Sequence, residues 1–248
     1  MHRCWLEREN PPAPGDTVTL SAEESAHVAR VLRMKAGDPV QLIAAERLFD
    51  GVLTVADERA ATMLIRRELP TPECPVHITL VQGLPKQDKL ELIVQKATEL
   101  GAWAVLPVEM ERSVAKLDNK DEKKRERLNR IALEAAKQSG RAHVLSVLPA
   151  CSLQQALRQI AAHDAALVAW EGEEALALTR AMNVLLAERP HLTSVAVIVG
   201  PEGGIAPREI EMLKGAGARC VTLGRRILRT ETAGFCALAV MMSTLGEM

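Results

Sequence analysis

Two short segments of this chain concentrate residue types that do chemistry. The first, Val199-Gly200-Pro201-Glu202-Gly203-Gly204-Ile205, sets three glycines around one acid. Glycines let a backbone approach a ligand closely and adopt positive φ. The run lacks the Lys-Ser/Thr ending of a P-loop and is not GxGxxG, and Glu202 would repel a pyrophosphate. It suits a neutral or cationic ligand; a plain turn feeding a helix at Pro207 is the alternative. The second segment, LGRRILRTETA, runs from Leu223 to Ala233. Thr230 is a good N-cap for the helix that follows, and Glu231 agrees with its dipole. Arg225, Arg226 and Arg229 precede that N-terminus, where cations are disfavoured, with no acid among residues 223–229. Three guanidinium groups placed there point to an anionic substrate.

Each segment follows a strand candidate, and in an open α/β sheet ligands bind beyond the carboxyl ends of strands. From Val76 onward the chain alternates strands and helices. Strands are expected at Val76–Val81, Ala104–Val108, Val144–Leu148, Ala166–Ala169, Val195–Val199 and Cys220–Leu223. Helices are expected at Lys86–Leu100, Asp121–Ser139, from Ser152, Glu173–Glu188, Pro207–Lys214 and Thr230–Leu245. This order predicts a largely parallel sheet covered on both faces.

The first 70 or so residues read differently. Ser21 and Glu24 fit a capping box, followed by Val28, Val31 and Leu32 as an apolar helix face that Gly37 closes. Strands follow at Pro39–Ile43, Leu48–Val55 and Thr62–Arg66, with Asp50-Gly51 as a turn or a bulge. This is a small β-module. Pro70, Pro72 and Pro75 favour an extended connection, which puts the domain boundary near residues 70–75.

Composition narrows the function. The chain has 248 residues, of which 48% are hydrophobic and 25% charged, which excludes disorder, collagen and coiled coil as whole-chain readings. Aromatics are only 2%, against a sheet that stacks bases on several rings. A net charge of −1 excludes an indiscriminate nucleic-acid coat and leaves only local basic patches, such as Arg30, Arg33 and Lys35 or residues 112–130. A solvated helix face is the ordinary explanation of the latter. Cys4, Cys74, Cys151, Cys220 and Cys236 form no CxxC, so no metal site or disulfide framework is expected, and a reducing cytoplasm fits. The start, MHRCWLEREN, has no apolar leader, and the longest apolar run, Ala233–Met242, is too short for a bilayer, so no membrane partner is expected. The last helix is apolar all round, which predicts burial on every side or a homodimer interface.

Taken together, AHVARVLRMKAGD (26–38), QKATELG (95–101), ERS (111–113), EAAKQSGR (134–141), IVGPEGG (198–204) and LGRRILRTETA (223–233) resemble the RsmE family of ribosomal RNA uridine-N3 methyltransferases, in the SPOUT superfamily of knotted methyltransferases. The family often shows a His pair where this chain has Ala26-His27, and an aromatic residue after GPEGG where this chain has Ile205. The resemblance implies a PUA-like β-barrel over residues 1–72 that helps hold RNA. It implies a SPOUT-type α/β domain with a trefoil knot over residues 73–248, a homodimer, and cytoplasmic work on small-subunit (16S) ribosomal RNA or the assembled small subunit.

It also implies S-adenosylmethionine as cofactor. Its sulfonium is cationic and it has no phosphate, which agrees with the acid-bearing glycine loop. The residues matching the family's cofactor loops are Val168 and Trp170, then Val199, Gly200, Pro201 and Gly203, then Leu223, Gly224, Ile227, Leu228 and Thr232. In catalysis Arg229 is expected to stabilise the anion developing on uracil, with Glu231 or Glu202 accepting the N3 proton or orienting other groups. Arg30, Arg33, Lys35, Arg112, Arg225 and Arg226 are the expected RNA contacts. The alternatives are a SPOUT enzyme acting on another RNA atom (a ribose 2′-hydroxyl, or transfer RNA) and a non-enzymatic ribosome-assembly factor.

Overall fold

A computed structural model describes residues 2–86, 89–117 and 121–248. The chain separates into two units: Met1–Glu73 with Gly140–His143, and Cys74–Ser139 with Val144–Met248.

The first unit is built on five strands: β1 (Arg3–Leu6), β2 (Thr17–Thr19), β3 (Pro39–Ala44), β4 (Arg47–Val55) and β5 (Thr62–Leu69), in the order β1-β3-β4-β5-β2. β1 and β3 are parallel and the other pairs antiparallel. The hairpin between β3 and β4 turns at Ala45 and Glu46, both with positive φ (49° and 57°), whereas Asp50-Gly51 is a bulge inside β4. A side chain at Gly51 would sit 2.4 Å from the Leu64 carbonyl oxygen, so only glycine lets β4 and β5 pass this closely. Helix α1 (Ala22–Ala26) is capped by Ser21, whose Oγ accepts from the Glu24 N–H at 3.2 Å. Beyond it His27–Val31 forms a π-helical turn. The wider turn breaks the 3.6-residue period behind the apolar face read from Val28, Val31 and Leu32. Val28 is buried, but Val31 and Leu32 are 60% and 41% exposed. The helix has ended well before Gly37 (φ +97°), which serves the turn ahead of β3 instead.

Glu73 joins residues 140–143 to this unit. Its carboxylate takes the Arg141 guanidinium at 2.6 Å and the N–H groups of Ala142 (2.7 Å) and His143 (3.1 Å). Burial alone would raise its carboxyl, but Arg141 and these two N–H groups hold it below the usual range.

The second unit carries a seven-stranded parallel sheet. Its strands are β6 (His77–Gly83), β7 (Ala104–Glu109), β8 (Ser146–Val147), β9 (Cys151–Ser152), β10 (Ala165–Ala169), β11 (Ser194–Val199) and β12 (Ala218–Val221). They run β12-β10-β11-β6-β7-β8, with β9 also on β7. Period-two alternation splits the core into two layers. Leu80, Val195, Val197 and Val199 face α2 (Lys89–Glu99), α3 (Asp121–Ser139), α5 (Leu178–Glu188) and α7 (Thr230–Thr244). Val81, Ala196 and Ile198 face α4 (Leu153–Ala161) and α6 (Pro207–Gly215). Both faces are covered, as the apolar strand runs require.

The expected start of α2 includes residues 87 and 88, which lie outside the described residues. The start of α5 differs from expectation. Residues 173–177 are not helical, because Glu173 Oε1 accepts from the N–H groups of Ala175 (2.8 Å) and Leu176 (3.0 Å) and so makes a tight local turn. Lys120 and Asp118, part of the basic stretch, also lie outside the described residues. α7 is buried along Gly234, Ala237, Leu238, Met241 and Met242, while Phe235, Cys236, Ala239 and Val240 remain half-buried, so it is not enclosed on every side. Among the described residues no helix is long and apolar enough to cross a membrane.

Candidate active site

β12, β10, β11 and β6 are neighbours and parallel, so the segments leaving their carboxyl ends emerge side by side. The glycine loop follows β11 and the arginine loop follows β12. One feature packs β6 against the glycine loop, and a second ties that loop to the start of α7. Gly83, the last residue of β6, presses on the glycine loop: a Cβ there would lie 2.5 Å from the Pro201 nitrogen and 2.8 Å from the Gly200 carbonyl carbon. Thr230 Oγ1 donates to the Gly200 carbonyl at 2.6 Å and accepts from the fully buried Gln82 Nε2 at 2.8 Å. Thr230 is therefore not the N-cap. Arg229 holds that position, and the threonine hydroxyl is spent across the site.

A cavity of about 380 Å³ lies where the loops meet. Val199, Gly200, Pro201, Glu202, Gly204 and Ile205 line it from one side, and Ile227, Leu228, Arg229 and Thr230 from the other. Lys89, Ala169, Glu171 and Ala233 complete it. A second cavity of about 580 Å³ shares Ala169, Glu171, Ile227, Leu228 and Ala233, and extends past Trp170, Leu223, Gly224, Arg225 and Arg226. Volumes in this range, with walls divided between aliphatic side chains and convergent polar groups, are those of small-molecule sites.

Four of the residues expected at the cofactor or the chemistry line neither cavity: Val168, Gly203, Glu231 and Thr232. Val168 has no exposed surface and packs in the layer against α6. Gly203 is where Arg112 seats: the guanidinium donates to its carbonyl at 3.1 Å, and a Cβ would meet the Arg112 Cβ at 2.8 Å. Arg112 thus holds the loop as well as remaining exposed. Arg30, Arg33 and Lys35 are exposed in the first unit, with Arg33 in a left-handed conformation (φ +55°).

The electrostatics centre on Lys89, which composition and spacing did not single out. Its ammonium lies 3.1 Å from Glu202 Oε1 and 3.2 Å from Glu231 Oε2. Burial works to raise the Glu202 carboxyl, but the Lys86 N–H, at 3.1 Å, and Lys89 outweigh it and leave it below the usual carboxylate range. Hydrogen bonds to Glu202 and Glu231 hold the Lys89 ammonium above its ordinary value. With two acids on one lysine, the cavity offers no cradle for a phosphate. Aliphatic walls, loop main chain and two carboxylates already gathered on Lys89 suit a neutral or cationic ligand, and Arg229 is exposed on the same cavity.

A model of the RNA methyltransferase domain family matches residues 72–242, which defines the class. The chain is 37% identical to the ribosomal RNA small subunit methyltransferase E of Bacillus subtilis over 248 aligned residues, covering 97% of this chain and 96% of the relative. The enzyme of the same name from Mycobacterium tuberculosis is 34% identical, over 93% and 87% of the two chains. The crystal structure of a ribosomal RNA small subunit methyltransferase E from Neisseria gonorrhoeae, bound to S-adenosyl methionine, superposes with a TM-score of 0.79 at 31% identity, over 98% of this chain and 97% of that one. This chain belongs to the ribosomal RNA small subunit methyltransferase E family.

Proposed function

We propose that this protein transfers a methyl group from S-adenosylmethionine to N3 of one uridine in small-subunit ribosomal RNA. The single observation that carries the reading is the cavity shared by residues 199–202, 204–205 and 227–230. The chain is an S-adenosylmethionine-dependent methyltransferase of small-subunit ribosomal RNA, as its relatives are. The donor fits the residues present. Val199, Gly200, Pro201, Ile227 and Leu228 would hold it with main chain and aliphatic walls, and Trp170, Leu223 and Gly224 would extend that wall. When bound, the cofactor supplies an electrophilic methyl group on a sulfonium centre.

The protein's own part is positioning and charge control. As the N3–carbon bond forms, the methyl–sulfur bond breaks and the N3 proton must leave. Arg229, which lines the cavity, stabilises the negative charge developing on a uracil carbonyl. The proton passes to the carboxylate pair of Glu202 and Glu231, directly or through water. Holding N3 in line with the methyl supplies much of the remaining acceleration.

The five-stranded sheet of the first unit supports a PUA-like barrel over residues 1–72. The parallel sheet with two loops locked at one edge supports a knotted SPOUT domain over residues 73–248. The half-buried stripe of Phe235, Cys236, Ala239 and Val240 on α7 supports a homodimer. Sedimentation equilibrium at micromolar concentration is expected to return twice the chain mass; a monomer would remove the dimer. RNA phosphates are assigned to Arg30, Arg33, Lys35, Arg112, Arg225 and Arg226. Replacing one of these should weaken binding and flatten the log–log salt dependence by about one unit of slope. An unchanged slope at all six would place the RNA elsewhere.

The test of the function compares small-subunit RNA from cells with and without the protein, mapping methylated nucleotides by mass spectrometry. One 3-methyluridine should disappear. A lost ribose methyl group or transfer-RNA mark would assign another target atom, and an unchanged pattern would point to an assembly factor.

A further inference from the structure

Glu202 sits in a loop after β11, Glu231 in the first turn of α7, and Lys89 at the start of α2, three places far apart in sequence. The fold brings them to one point, where a single ammonium lies within 3.2 Å of a carboxylate oxygen from each side. Lys89 lines the 380 Å³ cavity itself. We infer that Lys89 is a positioning residue for methyl transfer: it holds the side chains of Glu202 and Glu231 together at the cavity and sets the pH at which Glu202 works as a carboxylate. This rests on the reading of the cavity as the methyl-transfer site.

The physical case starts from the charges. Two carboxylates converging on one spot repel each other, and without a shared cation one of them takes up a proton more readily. Lys89 supplies that cation. It also ties α2 and α7 to the glycine loop, because each acid belongs to a different segment. Neither carboxylate could be moved without breaking a contact to Lys89. Among the described residues, these groups stand around the triad. Lys86 offers its main-chain N–H to Glu202, Arg229 and Glu171 line the same cavity, and Arg112 engages the Gly203 carbonyl rather than either acid. Among the described residues Arg229 is thus the other cation lining this cavity, and it is exposed. Removing Lys89 therefore leaves the pair without its direct counter-ion. A role confined to holding the fold together would lower the rate by one factor at every pH and leave the profile's shape unaltered.

The experiment measures the pH dependence of single-turnover methyl transfer to small ribosomal subunits by the full-length enzyme and its Lys89→Met and Lys89→Arg variants. Lys89→Gln serves as a second neutral variant should Lys89→Met not fold. In the neutral variants the acidic limb should move to higher pH by about one unit, because the Glu202 carboxylate loses its stabilising charge. Lys89→Arg should return the limb towards its original position. S-adenosylmethionine affinity, measured by calorimetry near neutral pH, should change less than the transfer rate. A neutral variant whose profile superimposes on that of the unaltered enzyme, or whose rate falls by the same factor at every pH, overturns the inference. Absence of transfer by the unaltered enzyme would instead overturn the reading of the site.

Discussion

Arg229→Ala is expected to lower methyl transfer to small ribosomal subunits about 100-fold or more while leaving S-adenosylmethionine affinity nearly intact. The magnitude is that of removing one preorganised donor from a developing anion. The selectivity follows from geometry. Arg229 is exposed, occupies the N-cap of α7 without a side-chain capping bond, and reaches the cavity from the rim. The walls expected to hold the cofactor, Gly200, Pro201, Ile227 and Leu228, do not depend on its guanidinium. Alanine accepts the same extended backbone (φ −65°, ψ 153°), so the helix start should survive. Single-turnover transfer of a labelled methyl group and calorimetric titration of the cofactor separate the two effects. Unchanged turnover would remove Arg229 from the mechanism, and a parallel loss of cofactor binding would make it a binding residue.

Gly83→Ala is the second large effect, and it acts from outside the chemistry. The residue is buried at the end of β6, and its backbone is not in the left-handed region, so alanine is strained only by space. That space is absent: the added methyl would meet the Pro201 nitrogen at 2.5 Å, its Cδ at 2.6 Å and the Gly200 carbonyl carbon at 2.8 Å. These are main-chain and ring atoms that cannot swing aside like a flexible side chain. The loop must retreat, and a displacement of about 1 Å at a positioned reactant can cost about 100-fold in rate. Overpacking should cost about 1–3 kcal/mol in stability, leaving a folded protein with a widened cavity. Cofactor affinity and transfer should both fall, in contrast to Arg229→Ala. A variant with wild-type affinity would mean the loop tolerates the shift and the close approach is incidental.

The two replacements differ in how visible they were in the chain. Arg229 stands in a run of three arginines ahead of a helix, a placement that helix electrostatics disfavours, so charge patterning alone marks it. Gly83 is one glycine after an apolar strand. Nothing near it in sequence announces that β6 and the glycine loop, more than a hundred residues on, must touch. Lys89 was equally silent among the charges of α2. Its partners, Glu202 and Glu231, stand out in the sequence as acids in a ligand loop and at a helix start, but their spacing does not mark them as a pair. Thr230 shows the opposite failure. Its type and place suit an N-cap, yet its hydroxyl reaches the Gly200 carbonyl, because a buried glutamine behind it needs an acceptor and the loop carbonyl needs a donor.

In the first unit the local rules met their limits in the same way. The capping bond from Glu24 to Ser21 formed as its spacing required, but the helix then opened into a π-turn that put Val31 and Leu32 outside. The Ala45-Glu46 turn uses two left-handed residues without a glycine, so no turn chemistry marked it, while the glycine at position 51 serves a bulge.

From its sequence alone this chain specified alternating strands and helices, the two loops beyond the carboxyl ends of their strands, and a pocket chemistry unsuited to phosphate. These follow from periodicity, glycine content and charge, which act over a few residues. Only the tertiary structure decided which side chains meet at the site: the Gly83 approach, the Thr230 bond across the loops, and the Lys89 bridge between two acids. Each joins segments brought together by the packing of a parallel sheet, and pairings over such separations leave no trace in local spacing.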